Sequence, residues 1–235
     1  MNALLLTWYC LPNVTTTRRR CSFTGTSPSR RLQTARSFWR RRWRLARHGL
    51  LSLLVETPWS DPQWYAKRDV SKDFENSVQQ VKELRRALSF LTVKYGDRID
   101  EKRIALVGHD FGAMYGILAA SADHRVSVLA LQAFTSSFSD WFLYNQRELS
   151  TAGKQAVIDR LAPLDPIRYM PQLGAAPVLL QFAKEDSYVP REKAEALYAA
   201  ARGPKKILWY DAGHGLNQQA SADRMAWLRE MLKLK

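Results

Sequence analysis

The sequence predicts an α/β fold, a mostly parallel sheet with helices on both faces. Three observations predict it. Short apolar runs, such as LLSLLV from Leu50, IALV from Ile104 and the run from Val178 to Phe182, lack the in–out alternation of a strand with one wet face, so each must be covered on both sides. Stretches with helical spacing lie between them, and strand–helix alternation is the pattern of a parallel sheet wrapped by helices. The chain has 235 residues, 46% of them apolar, which suits one domain with a sizeable core.

In chain order, Ala3 to Trp8 (ALLLTW) reads as a short buried strand and Ser37 to Arg47 as a helix, with Phe38, Trp39, Trp43, Leu45 and Ala46 as its apolar residues. The stretch between them reads as a long disordered loop, and the N-terminal strands of the sheet are expected to be incomplete. His48 and Gly49 form a helix-to-strand turn before the Leu50 to Val55 strand. From Val70 to Tyr95, Phe74, Val78, Val81, Leu84, Leu88 and Leu91 recur at helical spacing, and Gly96 ends the helix as a C-cap glycine would. Ile104 to Val107 is the next strand, Gly108 to Gly112 a tight turn, and Ala113 to Ser121 a small-residue helix packed close to the sheet. Strands follow at Val126 to Leu131, Val178 to Phe182 and Ile207 to Tyr210, with helices at about Glu192 to Arg202 and Ala222 to Leu234. Gly112 must fit between helix and sheet, whereas Gly203 reads as part of a surface turn before Pro204.

The charge is uneven. Residues 1 to 47 hold eleven Arg, no Lys and no acid; the first acid is Glu56. The remainder carries 25 basic and 22 acidic residues, an ordinary balance of +3, so +11 of the formal +14 belongs to the N-terminal segment. Nucleic acid is therefore not an expected partner of the body. Three readings of the Arg-, Ser- and Thr-rich segment stay open: an organellar transit peptide, a basic tail that touches nucleic acid or anionic lipid, or text that is not native coding sequence. Residues 1–36 are expected to be disordered and residues 37–235 to form the domain, with 136–176 as a small lid-like segment. No apolar run approaches the length of a membrane span, and no membrane partner is expected. Both cysteines, Cys10 and Cys21, lie in the basic segment, so the body has neither a disulfide framework nor a cysteine metal site. That composition fits a reducing compartment such as the cytoplasm, with the organellar reading left open. No cofactor and no metal is expected, and the oligomeric state stays open.

Sites in parallel sheets lie at the carboxyl ends of the strands, and three titratable side chains follow three strands there. Asp110 follows IALVGH, Asp186 follows VLLQFAKE and His214 follows ILWYDAG. Each also has a structural alternative: Asp110 as a helix N-cap, Asp186 as a cap of the next helix, and His214 as a surface turn. The order Asp, Asp, His resembles the nucleophile–acid–histidine order of the α/β hydrolases. VGHDFGA has the G-x-nucleophile-x-G elbow pattern, with Asp110 where serine commonly stands and with Gly108 and Gly112 giving room for a strained turn. QFAKEDSYVP and YDAGHGLN resemble the acid and histidine loops of dienelactone-hydrolase-like members. The resemblance covers about residues 38 to 235. It implies an α/β-hydrolase fold and a hydrolase of a small organic substrate, with an Asp110–Asp186–His214 triad and the Phe111 backbone N–H as an oxyanion donor. His109 is expected to pack beside the elbow.

Aspartate changes the chemistry. A carboxylate is ionised at neutral pH without help from a base, but attack by a carboxylate on an ester carbonyl would give an anhydride. Attack at a saturated carbon displaces halide or opens an epoxide and leaves an alkyl ester on the enzyme. The GHDFG elbow resembles that of haloalkane dehalogenases and soluble epoxide hydrolases, which work this way. The body resemblance points to esters or lactones and the elbow to halides or epoxides, and the sequence leaves both open. It departs from the second pair in its small lid and in carrying Phe111 where the dehalogenases commonly have a halide-binding Trp. Trp59, Trp64, Trp141 and Tyr144 are the candidate leaving-group donors. The second oxyanion donor should come from the loop after the strand lying between those at Leu50 and Ile104. Ala3 to Trp8 is the candidate strand, and its loop from Thr7 to Cys10 has no His-Gly or Gly-Gly. Two further classes remain, a non-catalytic binding protein of the same fold and an inactive fragment of a hydrolase.

Overall fold

The apolar runs form the strands of one sheet. The structure is a computed structural model and describes residues 2–8, 50–55, 57, 58, 63–144, 146 and 148–234. In chain order the strands are β1 (Asn2–Trp8), β2 (Leu50–Leu54), β3 (Ile99–His109), β4 (Val128–Gln132), β5 (Val178–Ala183) and β6 (Lys205–Tyr210). The sheet order is β2-β1-β3-β4-β5-β6, and every neighbouring pair is parallel. The Ala3 to Trp8 run thus pairs between the Leu50 and Ile104 strands, with Leu5 opposite Ser52 on one side and Ala105 on the other. The helix expected over Ser37 to Arg47, the loop before it, the His48–Gly49 turn and Trp59 lie outside the described residues.

Two apolar layers explain why the strands read as unbroken hydrophobic runs. Ile104 and Leu106 of β3 join a core with Leu84, Leu88 and Leu91 of α2 (Asp73–Tyr95) and with Met114 and Ile117 of α3 (Phe111–Ser121). The short α1 (Trp64–Lys67) precedes α2 in the chain. Ala105 and Val107, between them in sequence, point the other way and pack with Leu228 and Leu232 beside α8 (Gln218–Met231). Strands β4 and β5 divide likewise: Leu129, Leu131, Leu180 and Phe182 face the first layer, and Val128, Ala130 and Leu179 the second. Each buried Leu or Val contributes about 1.5–3 kcal/mol, so polar substitution on either side of these strands is costly.

Differences from the sequence reading have local causes. Strand β3 begins at Ile99, five residues before the apolar run, because Asn2 pairs with Ile99 across a register shift; the polar Asp100 to Arg103 stretch hides this from a hydropathy pattern. Helix α2 ends at Tyr95 as expected, but Gly96 sits at φ −56° and makes no left-handed cap. Helix α3 is buried all round from Phe111 to Ala120. Gly116 allows that closeness, because a Cβ there would lie 2.6 Å from the Leu106 side chain. Gly203 is not the tolerant turn position its setting suggested, since a Cβ would meet Ala176 O at 2.8 Å and Ala175 C at 2.9 Å.

Between β4 and β5 the chain forms α4 (Phe138–Phe142), α5 (Thr151–Leu161) and α6 (Pro166–Tyr169), with one 3₁₀ turn (Ala162–Leu164) between the last two and another (Met170–Leu173) after α6. Helix α7 (Arg191–Ala200) connects β5 to β6. Helix α4 is held from below. The Arg68 guanidinium, itself buried, pairs with buried Asp73 at 3.2 Å and donates to Phe142 O at 2.5 Å. Burial pushes the Asp73 carboxyl up to about 6 against the opposing pull of Arg68.

Candidate active site

Because all six strands run the same way, the ends of β3, β5 and β6 lie at one edge of the sheet. Asp110 comes directly after β3, Asp186 in the loop after β5 and His214 in the loop after β6. The structure brings the three together. His214 Nδ1 lies 2.9 Å from Asp186 Oδ2, and His214 Nε2 lies 3.6 Å from Asp110 Oδ2.

The elbow turns sharply. Asp110 has φ 59° and ψ −128°, nearly the backbone region that Gly174 takes elsewhere. A side chain in this region costs of order 1–3 kcal/mol and persists only where its surroundings hold it. Here Asp110 N donates to Gln132 O at 2.9 Å, and Ala113 N and Met114 N donate to Asp110 O. Gly108 makes the turn possible: a Cβ there would stand 2.5 Å from Gly112 O and 2.6 Å from Ala113 N. Asp110 occupies the N-cap position of α3, yet its side chain makes no capping hydrogen bond. Instead Oδ2 faces His214, and buried Oδ1 has no hydrogen-bond partner among the described residues. A buried acceptor left this way costs about 1–3 kcal/mol, so the capping alternative does not explain why aspartate stands here.

The acid and histidine loops are tied to each other. The ladder between β5 and β6 continues past the strands, with Lys184 N donating to Tyr210 O at 2.9 Å and Glu185 N to Ala212 O at 3.2 Å. Asp186 does not cap α7, whose N-cap is Pro190. Its Oδ1 accepts from Tyr188 N at 3.0 Å while Oδ2 faces His214. Burial works to raise its pKa, but the hydrogen bond and charge of His214 hold it below the usual carboxylate range. For His214, burial works to lower the pKa, but the Asp110 and Asp186 carboxylates, by accepting from its ring N–H groups and by their charge, win and push it up to about 9. Below these loops Gln181, fully buried, donates to Tyr210 OH at 2.8 Å and Ala220 O at 2.7 Å and accepts from Arg224, joining β5 and β6 to α8.

Aromatic rings cover the three side chains. Trp141 of α4 stands edge-on to His214 with centroids 5.3 Å apart, stacks with Tyr188 at 5.7 Å and lies 6.0 Å from the Phe111 ring. Its indole Nε1 is buried and has no hydrogen-bond partner among the described residues. Tyr144 meets Tyr188 edge-on at 5.0 Å nearer solvent. Trp64 packs against Phe111 and Phe142 instead. Tyr188, two residues beyond Asp186, was missed as a site residue; its place in QFAKEDSYVP was the available signal. The buried Arg68–Asp73 pair was missed as well, because a charged pair in a loop-to-helix segment reads as solvated until its burial is known.

Among the described residues, no cluster of three or more His, Cys, Asp or Glu side chains is arranged to hold a metal ion, and no helix is long and apolar enough to cross a membrane. The sequence matches no protein-family model and no curated protein. Solved structures do resemble it. The esterase domain of a Rhodothermus marinus protein superposes with a TM-score of 0.61 at 18% identity, over 99% of this chain and 87% of that one. Acetyl xylan esterase 1 from Thermoanaerobacterium superposes with a TM-score of 0.67 at 14% identity, over 98% and 75%. The α/β hydrolase GrgF from Penicillium gives 0.61 at 14%, over 99% and 90%. This is the α/β-hydrolase fold. At these identities the likeness establishes the fold alone. Within the α/β-hydrolase fold, Asp110, Asp186 and His214 stand at the carboxyl edge of the sheet, where such sheets carry their sites.

Proposed function

We propose that the chain is a hydrolase of small organic molecules in which Asp110 is the nucleophile, His214 the base of a second step and Asp186 the group that orients His214. The observation that carries this reading is the contact chain Asp110–His214–Asp186, at 3.6 Å and 2.9 Å, set on an elbow strained at φ 59°. Strain of that kind clusters at functional sites. The esterase and hydrolase names of the structural neighbours support the same broad class.

The identity of the nucleophile favours a saturated carbon as its target, hence halides or epoxides over esters and lactones. An Asp110 oxygen attacks the carbon, the carbon–leaving-group bond breaks, and the leaving atom departs with the electron pair. Trp141 Nε1–H, buried and unpartnered among the described residues, is the candidate to donate a hydrogen bond to that atom. In the resting site His214 holds a proton, because two carboxylates face it. Ester formation removes the charge of one of them, so His214 can release its proton to solvent and become a base. Water then attacks the ester carbonyl carbon while His214 Nε2 takes its proton. The Phe111 N–H supports the oxyanion; the adduct then breaks its bond to the alkoxide oxygen, which takes the proton from His214 and leaves as the alcohol, and Asp110 is restored. A second oxyanion donor would come from the loop after β1, outside the described residues.

A panel of halides, epoxides, esters and lactones identifies a working substrate. The His214→Gln variant should then accumulate a covalent adduct, seen by intact mass and mapped to the peptide containing Asp110. In a single turnover of wild type in heavy-oxygen water, the label should enter the Asp110 carboxylate. Label in the product with Asp110 unlabelled would make Asp110 a general base and overturn the reading. Binding without turnover on the whole panel would favour a non-catalytic binding protein.

A further inference from the structure

We propose that His109 is a positioning residue that clamps the backbone of His214 to the elbow and thereby sets where the base stands relative to Asp110. This role rests on the functional reading above, and the geometry is specific to it. His109 is the last residue of β3, one position before Asp110. Its Nε2 lies 2.9 Å from the backbone oxygen of His214, and the two imidazole rings meet edge-on with centroids 4.9 Å apart. His109 therefore holds the main chain of His214, while the neighbouring Asp110 faces the ring of His214 at 3.6 Å. Two consecutive elbow residues grip one residue of another loop at two points.

The histidine loop needs such a grip. His214 stands between Gly213 and Gly215, and a Cβ at either glycine would meet nothing within 4 Å. Side-chain packing therefore does not lock the loop at these two positions. Hydrogen bonds on either side include Leu216 N to Gly213 O at 2.9 Å, Glu185 N to Ala212 O at 3.2 Å and Asn217 Nδ2 to Asp211 O at 3.4 Å. The first is internal to the loop, the second reaches the acid loop, and the third reaches the start of α8. The bond from His109 refers His214 to the nucleophile's own strand. A shift of about 1 Å at such a contact can cost on the order of 100-fold in rate.

The chemistry of the contact fixes the state of His109. A carbonyl oxygen only accepts, so Nε2 must carry the proton. Burial drives the His109 pKa down to about 4, and the charge on His214 works in the same direction against the opposing pull of Asp110. His109 is thus neutral, with Nδ1 unprotonated, whenever the site is charged. The groups facing the pair are Asp110 from the elbow, Asp186 and Tyr188 from the acid loop, the uncharged Trp141 from α4 and the buried Arg224 of α8, whose charge also acts to keep His109 neutral. An arginine or lysine at position 109 would set a second cation beside His214.

Three measurements test the clamp. Nitrogen NMR on wild type, which needs no substrate, should show His109 as the neutral Nε2–H form, unchanged between about pH 5 and 9 while His214 titrates well above an ordinary histidine. A titrating His109, or the Nδ1–H form, overturns the proposal. His109→Phe should lower the His214 pKa toward the ordinary value, because the loop is no longer held between two carboxylates; His109→Gln, which can still donate, should restore most of the shift. With a working substrate, His109→Phe should slow ester hydrolysis roughly 10- to 100-fold and change ester formation by less than about 3-fold. Equal slowing of both steps, or no rescue by Gln, reduces His109 to packing and overturns the role. Should the Phe variant not fold, the wild-type spectrum and the Gln variant still decide. If the spectra behave as expected but no substrate alkylates Asp110, the clamp stands as geometry and the functional reading fails.

Discussion

At the scale of residues, single atoms set the charge and the backbone geometry of the site. His214 has its folded pKa raised to about 9 by Asp110 and Asp186 over the opposing effect of burial. A raised pKa means stability that is complete below the unfolded value of about 6.5 and lost as pH rises through about 9. The melting-temperature gap between wild type and His214→Gln should therefore be widest near pH 6 and narrow through pH 9. It is worth at most roughly 3 kcal/mol at about 1.36 kcal/mol per unit. A gap that stays constant across that range would show that the ion pair is not formed. His109 contributes with the opposite sign: its pKa is lowered to about 4, chiefly by burial, so stability is lost as pH falls from about 6.5 toward 4. The second prediction concerns Gly108. Its missing Cβ would sit 2.5–2.6 Å from backbone atoms of Gly112 and Ala113, which cannot rotate away as a side chain can. Gly108→Ala should destabilise by about 3 kcal/mol, whereas Gly215→Ala, in open space, should stay within about 0.5 kcal/mol. Chemical denaturation of the two variants checks this directly, and similar losses would count against the elbow geometry.

At the scale of elements, the region that covers the site depends on a buried ion pair. Arg68 spans from Asp73 at the start of α2 to the carbonyl of Phe142 at the end of α4, with its guanidinium also over the Trp64 and Phe142 rings. Ser77, one turn into α2, extends the contact to Tyr115 of α3 at 3.0 Å. Removing one partner of a buried pair strands the other charge, typically at about 3–5 kcal/mol. Arg68→Met should thus cost stability of that order and loosen α4, which carries Trp141 against His214. The double variant Arg68→Met with Asp73→Leu should recover much of the loss, because no charge is then left buried alone. Tryptophan fluorescence and the denaturation midpoint would report both effects. No recovery in the double variant would mean that Arg68 acts through its bond to Phe142 and not through Asp73.

At the scale of the molecule, the sheet puts β1 one strand in from its edge, between β2 and β3. Parallel neighbours cannot be joined by a tight turn; they need a crossover of about a dozen residues or more. Trp8 and Leu50 are joined by the long Arg-rich stretch, and removing residues 12–34 would leave about eighteen residues for that crossover, enough by the same rule. The deletion should leave the thermal transition within about 5 °C of wild type; a larger drop would show that the segment packs against the domain. A deletion that also removed β1 should abolish cooperative unfolding, since β3 would lose a parallel neighbour along its length.

What the sequence determined by itself was local. Continuous apolar runs at 104–107 and 178–182 dictated strands covered on both faces, the helical spacing from Phe74 to Leu91 dictated α2, and G-H-D-F-G dictated a turn tight enough to need Gly108. The order Asp110, Asp186, His214 was legible because each follows a strand, and parallel strands bring their ends to one edge. What only the tertiary structure decided depends on contacts between distant segments. The extension of β3 to Ile99 came from pairing with Asn2 across polar residues. The tightness around Gly203 came from the Ala175–Ala176 backbone. The bond from His109 to the His214 carbonyl joins positions more than a hundred residues apart. Periodicity records which face of a segment is buried, but not which partner buries it. Distances, tautomers and shifted pKa values are properties of that partner.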